Sequence, residues 1–264
     1  MRPGLKLIRS RGNPQVKALV KLASSSRERS KTGTTLLEGE HLVRAYRESG
    51  GKAETIFAAE TAMAKPEIRA LLEGAPADAR LVLADRLVGR ISQLVSAAGV
   101  GAVVRTPEPG LLPRTLASCV LLENIQDPGN LGSILRSAVA AGIAYLFLSR
   151  GSVFAWSPKV VRAGMGAHFF LSIFEDVDLA DIARACSGRI VAMEPRAQVS
   201  LYELDLKGPV AWAFGNEGAG LTESVRRLAT DSARIPMPGP AESLNVAAAA
   251  AICLFEHVRQ NAKP

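Results

Sequence analysis

Residues 119–136 read CVLLENIQDPGNLGSILR, one strand, one loop and the opening of one helix in a single stretch. Cys119 to Leu122 is apolar at every position, the pattern of a strand covered on both faces. Glu123 to Asn130 is polar and contains Asp127-Pro128-Gly129, which reads as a turn. Apolar residues at helical spacing then predict a helix over Ser133 to Ala141. Arg136 lies about one turn inside that helix and can project back toward its start. Free N–H groups at such a start suit an anion. A strand feeding a glycine-bearing loop and then a helix is the repeating unit of a parallel sheet.

Outward from this stretch the alternation repeats. Toward the C-terminus, Ala144–Leu148, Phe169–Ile173, Arg189–Met193, Val210–Phe214 and Arg234–Met237 read as strands. Ser157–Ala163, Leu179–Cys186 and Glu223–Ala229 read as helices among them. Toward the N-terminus, strands are expected at Thr34–Leu37, Glu54–Ala58, Arg80–Ala84 and Gly101–Val104, with helices at Asn13–Ala23, Glu40–Glu48, Pro66–Leu72 and Arg86–Val95. Between the two halves, Arg105 to Arg114 holds Pro107, Pro109, Gly110 and Pro113 and continues neither element. The fold class is therefore α/β, with a first domain over 1–104, a linker over 105–113 and a parallel-sheet domain over 114–264.

An open parallel sheet binds its ligand beyond the carboxyl ends of its strands. Two more loops qualify there. Gly215-Asn-Glu-Gly-Ala-Gly220 has the order GxxGxG, so it is neither the dinucleotide fingerprint nor a phosphate loop, which would need a following lysine. Its backbone can approach a compact ligand closely, and Glu217 is its one charge. Ile235 to Asn245 precedes a helix that is apolar nearly all round from Val246 to Phe255, with Ser243 placed to cap it. Such a helix must be buried on most sides, by its own domain together with a partner or an unusual chain packing.

Other classes recede. No apolar run is long enough to span a bilayer, and the basic N-terminus lacks the apolar segment of a signal peptide, so a cytoplasmic protein is expected. Cys119, Cys186 and Cys253 are far apart in sequence and lie among apolar neighbours, as buried reduced thiols do. His41, His168 and His257 are scattered, with no acidic or cysteine partner at metal-ligand spacing. The first 31 residues carry nine basic side chains against Glu28 alone, a charge of +8 where the whole chain has +7. That asymmetry suits a polyanion.

Asn124–Arg136, Phe214–Leu221 and Ile235–Ala248 resemble, in order, the three sequence motifs of the SpoU (TrmH-like) RNA methyltransferases. The likeness extends to Ser157-Pro-Lys-Val-Val-Arg162, and to Ser10–Lys17 and Leu37-Glu-Gly-Glu40, which resemble the family's accessory RNA-binding domain. It departs at Gly164, where a serine is expected, and at Thr34-Thr35, where a more apolar strand start is expected.

The resemblance implies a catalytic domain with the deep trefoil knot of the SPOUT superfamily, preceded by a smaller α/β domain like a ribosomal protein. It implies a homodimer through the catalytic domain and last helix. The activity implied is methyl transfer from S-adenosylmethionine to a ribose 2′-hydroxyl, without metal. Ribosomal RNA is the substrate favoured; transfer RNA, or RNA binding without catalysis, are the alternatives. The donor would lie against Met193, Glu194, Gly215, Ile235 and Leu244. Arg136 would be catalytic, with Asn130, Glu217, Ser243 and Asn245 around it and Glu217 the reserve base. Because a guanidinium does not give up its proton, Arg136 is expected to bind phosphate and steady the developing alkoxide rather than act as a base. Arg9, Arg11, Lys17 and Lys21 are the expected RNA contacts.

Overall fold

The computed structural model describes residues 7–92 and 99–262. Arg2 and Lys6 of the basic segment, and the end of the helix expected over Arg86–Val95, lie outside them. The chain divides into two compact units, Met1–Pro107 with Trp156–Phe169, and Glu108–Ala155 with Phe170–Pro264.

In the first unit, β1 (Leu7–Ile8) leads to α1 (Pro14–Ser24), where Asn13 caps and Pro14 fills the first helical position. Then follow α2 (Ser26–Thr32), β2 (Thr34–Glu38), α3 (Glu40–Glu48), β3 (Thr55–Ala59), α4 (Pro66–Glu73), β4 (Arg80–Leu83), α5 (Asp85–Ile91) and β5 (Val100–Arg105). The sheet order is β1-β4-β3-β5-β2. β1, β4 and β3 run parallel, while β5 is antiparallel to both its neighbours. α1 packs on α5, burying Val16 and Leu19 on one side and Leu87, Val88 and Ile91 on the other.

The second unit holds β6 (Cys119–Leu122), α6 (Pro128–Ala140) and β7 (Tyr145–Ser149). The next helix, α7 (Pro158–Gly164), belongs to the first unit, although the sequence pattern assigned it to the second domain. Its anchors explain the difference. Arg162 pairs with the buried Glu38 at 3.1 Å, which also accepts from Ser92 Oγ at 2.6 Å. Thr35 Oγ1 donates to the Trp156 carbonyl at 2.8 Å, a use for the polar strand start, and Phe169 meets Tyr46 edge-on at 5.1 Å. Periodicity marks a helix but does not say which sheet it covers.

The second unit continues with β8 (Ser172–Val177), α8 (Leu179–Ala185), β9 (Arg189–Met193), β10 (Val199–Ser200), β11 (Val210–Phe214), α9 (Glu223–Arg226), β12 (Asp231–Arg234) and α10 (Val246–Asn261). Its seven strands are all parallel, in the order β10-β12-β9-β11-β6-β7-β8. β6 and β11 are buried at every residue, as their apolar runs require.

Three expectations need correction. α6 begins at Pro128, because Asp127 caps it by accepting from Asn130 N at 2.8 Å and Pro128 fills its first position. β12 ends at Arg234 instead of starting there, since Pro236 and Pro238 have no N–H for a ladder. Residues 167–170 form a 3-10 turn, so β8 starts at Ser172. Cys119 and Cys186, distant in sequence, bring their sulfurs to 3.9 Å, both as free thiols. α10 packs on α6 and β11 and buries Ala247, Ala250, Cys253 and Leu254. No described helix is long and apolar enough to cross a membrane.

Candidate active site

The loops after β6 and β11 start side by side, because those strands are hydrogen-bonded neighbours and Glu123 N bonds to Phe214 O at 2.9 Å. Beyond the strands the loops stay tied. Glu123 accepts from Thr222 N at 2.7 Å and from its hydroxyl at 2.6 Å, and Asn216 Nδ2 donates to Asn124 O at 2.9 Å. Asn216 and Gly220 exchange backbone bonds of 3.1 and 2.9 Å, which pinches Glu217-Gly218-Ala219 into a tight loop.

A directed chain of side-chain bonds then joins all three motifs. Asn245, not Ser243, caps α10: its Oδ1 accepts from Ala247 N at 2.9 Å and Ala248 N at 3.3 Å. With the oxygen committed to the helix, Asn245 Nδ2 must point outward, and it donates to Asn130 Oδ1 at 2.8 Å. That in turn directs Asn130 Nδ2 to Glu217 Oε1, 3.0 Å away. Glu217 also accepts from Asp127 N at 3.2 Å and Gln126 N at 3.3 Å. Each amide has one orientation only, set ultimately by the two unsatisfied N–H groups at the start of α10.

Partial burial pushes the Glu217 carboxyl up, but the bonds from Asn130 and from the backbone N–H groups of Glu217, Asp127 and Gln126 outweigh it and hold it below the ordinary glutamate value. A carboxylate so occupied is a weak proton acceptor. It clamps the loop after β6 to the loop after β11, and this tells against the reserve-base role.

Arg136 is exposed and, among the described residues, pairs with no carboxylate. Because α6 starts at Pro128, Arg136 lies more than two turns inside the helix, not one. Ser133 and Gly129, three and seven residues before it, are exposed on the same helix face.

The expected donor contacts converge only in part. β11, β9 and β12 are adjacent, so Gly215, Met193 and Ile235 emerge at neighbouring carboxyl ends of one sheet. Gly215 faces the Gly220–Leu221 backbone, and any Cβ there would collide with it, so this wall is bare main chain. That fits the close approach of a compact ligand carrying hydrogen-bonding edges. The Glu194 carboxylate is held by Arg226 Nε at 2.6 Å and Ser232 Oγ at 2.8 Å, so what it can offer a donor is its backbone. Ser243 is exposed and outside the bonded chain, and Leu244 is exposed beside it. Among the described residues, no group of three or more His, Cys, Asp or Glu side chains is placed to hold a metal ion.

The expected RNA contacts separate as well. Lys21 Nζ is paired with Glu28 at 2.7 Å, and Arg29 is buried, donating to Leu22 O at 2.8 Å. Arg9 and Arg11 instead line a hollow with Arg86 and Arg90, two arginines that no sequence motif singles out. The available signal was the arginine pair four residues apart on the wet face of α5.

Comparison with known proteins agrees with this arrangement. The model of the SpoU rRNA Methylase family matches residues 117–255, and that of the MRM3-like substrate binding domain matches residues 13–102. An uncharacterized tRNA/rRNA methyltransferase of Synechocystis is 33% identical over 96% of this chain and 93% of its own length. The 23S rRNA (guanosine(2553)-2′-O)-methyltransferase RlmP of Bacillus subtilis is 31% identical over 97% of this chain and 100% of its own. The crystal structure of an AdoMet-bound rRNA methyltransferase from Sinorhizobium meliloti superposes with a TM-score of 0.84 at 29% identity, covering 98% of this chain and 100% of that one. The chain belongs to the SpoU rRNA methylase family.

Proposed function

We propose that this protein transfers a methyl group from S-adenosylmethionine to a ribose 2′-hydroxyl of RNA, with ribosomal RNA as the substrate. The observation that carries the reading is the bonded chain Asn245–Asn130–Glu217, which binds the three motif loops into one surface at the carboxyl ends of β6, β9, β11 and β12. When bound, the donor supplies a methyl group already activated on a sulfonium, so the protein's task is chiefly alignment. Gly215 offers the donor bare main chain, with Met193 and Ile235 beside it. Arg136, always protonated, holds a substrate phosphate and offsets charge developing on the 2′-oxygen. Asn130, fixed from both sides, positions the ribose. Ribosomal RNA is favoured because relatives that span the full chain, RlmP among them, carry rRNA methylation in their names.

Incubation of the full chain with donor and unmodified ribosomal RNA, followed by nuclease digestion and mass spectrometry, should reveal a new 2′-O-methylated nucleotide. Methylation found only on a base, or none on any RNA, would overturn the reading.

We also propose that the second unit carries the family's trefoil knot. Supporting this, the chain passes from β12 through residues 235–245 to Asn130 before α10 packs on α6 and β11. A homodimer is proposed on the uncovered side of α10, where Phe255 and Val258 are exposed apolar side chains, with Leu244 exposed just before the helix. Light scattering is expected to give twice the chain mass; a monomer at micromolar concentration would exclude that interface.

A further inference from the structure

The first unit contains an open hollow of about 460 Å³ lined by Arg9, Ser10, Arg11, Arg86, Leu87 and Arg90. Two distant parts of the chain meet there. β1 pairs in parallel with β4, so the residues that follow each strand emerge together: Arg9 to Arg11 from one, and α5 with Arg86 and Arg90 from the other. The meeting is fixed by Arg86 Nη2, which donates to Arg9 O at 2.9 Å across 77 residues of sequence. Ser10 is held in its turn by Asn13 N on its carbonyl and Gly12 N on its hydroxyl, both at 3.2 Å.

The charge balance of the hollow is one-sided. Arg9 meets Glu60 at 3.2 Å, but both side chains are about half exposed, so the pair is screened. Asp85 accepts from the Thr61 hydroxyl. Among the described residues, Arg11, Arg86 and Arg90 form no ion pair. Like charges four residues apart on one helix face repel, and the concavity concentrates their field. Four guanidiniums around one hollow with a single carboxylate contact are therefore an arrangement that an anion stabilises. Among the described residues no aromatic ring lines it, so it offers no stacking platform for a base. Arg86 and Arg90 project from one turn of helix with their Cβ atoms about 5–6 Å apart, a separation suited to neighbouring phosphates of one strand.

We infer that this hollow grips the RNA backbone through consecutive phosphates, and that Arg86 and Arg90 carry that contact together with Arg9 and Arg11. The inference rests on the RNA methyltransferase reading and adds to it where the substrate is held and by which chemistry. Phosphate contacts place an RNA without reading its sequence. The grip is therefore indifferent to sequence, and selection of the nucleotide falls to the second unit.

The test uses the full chain, two labelled RNA hairpins of unrelated sequence, and the double variants R86Q/R90Q and R86K/R90K. Removing two phosphate contacts should lower the salt slope of binding by about 1.4 to 1.8 and weaken affinity about 10- to 30-fold near 0.15 M salt. The loss should be equal for both hairpins, and the lysine variant, which keeps both charges, should stay close to wild type. Thermal unfolding shows whether the glutamine variant is folded; relief of repulsion offsets loss of the Arg86–Arg9 bond, so its midpoint should stay close to wild type. Glutamine-variant binding equal to wild type, or a loss confined to one hairpin, overturns the inference. Inorganic phosphate binding that the glutamine variant loses while its RNA binding stays at the wild-type level assigns the hollow to a free anion and overturns it too. Wild-type protein that binds neither hairpin overturns both the grip and the methyltransferase reading, whereas loss of the grip alone leaves that reading standing.

Discussion

Replacing Arg136 with lysine is expected to lower turnover about a hundred- to a thousandfold, as removal of one preorganised donor to a developing oxyanion does elsewhere. Affinity for S-adenosylmethionine should hardly change, because the proposed donor contacts, Gly215, Met193 and Ile235, lie at the ends of β11, β9 and β12 and not on α6. Lysine keeps the charge but loses the planar fork that grips two phosphate oxygens, or a phosphate and an alkoxide, at once. The substitution is also structurally quiet: Arg136 is exposed and has no ion-pair partner among the described residues. A folded variant that binds donor normally and fails in turnover places the defect in the transition state. A lysine variant with near-normal turnover would reduce Arg136 to a solvated helix residue. The pH profile of the wild type adds a second check on the site. Glu217 is held below its ordinary value of 4.5, so its clamp is complete above that value and is lost only as pH falls through the lowered one. No acid limb from Glu217 is expected above about pH 5, whereas a Glu217 acting as base at neutral pH would produce one.

How far the sequence discloses this molecule depends on what each segment must bury. Cys119–Leu122, Arg189–Met193 and Val210–Phe214 match the observed strands residue for residue, because an interior parallel strand has little wet face and, apart from the exposed Arg189 that opens one of them, these are apolar throughout. β12 escapes the same reasoning. It is Asp231-Ser-Ala-Arg234, only Ala233 is buried, and Asp231 faces Arg189 at 2.9 Å on the next strand. The apolar residues just beyond, Ile235 and Met237, attract the strand assignment although the prolines between them forbid it. β1 and β10 are two residues each, too short for any period to register. In the site, loop composition singles out Asn130, Glu217 and Asn245, but the order of donors and acceptors among them follows from α10 starting at Val246 and not where a serine cap would start it. Arg86 and Arg90 are invisible as partners of Arg9 and Arg11, since only the β1–β4 pairing brings them together.

Gly215→Ala should abolish useful donor binding, with an affinity loss of about a hundredfold. The added methyl group would run into the carbonyl carbon and oxygen of Gly220 and the amide nitrogen of Leu221. Overpacking against side chains costs about 1–3 kcal/mol when they can shift. Here the obstacle is main chain pinned on both sides: Asn216 and Gly220 exchange two backbone bonds, and Asn216 Oδ1 accepts from Gly218 N at 3.0 Å and Ala219 N at 2.9 Å. The cost therefore falls at the upper end; the loop is expected to shift to relieve it, and restoring its shape when the donor binds would cost up to about 3 kcal/mol, roughly a hundredfold in Kd. Two neighbours in the same loop calibrate the claim. A Cβ on Gly218 meets only Asn216 Oδ1 at 3.6 Å, an ordinary contact, so Gly218→Ala should bind donor like wild type. Gly220 has open space but a φ of +72°, so Gly220→Ala carries about 1–2 kcal/mol of left-handed strain and should fall between the two. Calorimetric titration of the three variants with S-adenosylmethionine reads the order directly. Equal losses for Gly215→Ala and Gly218→Ala would mean that the loop serves only as a flexible turn. An unaffected Gly215→Ala would place the donor elsewhere on the sheet.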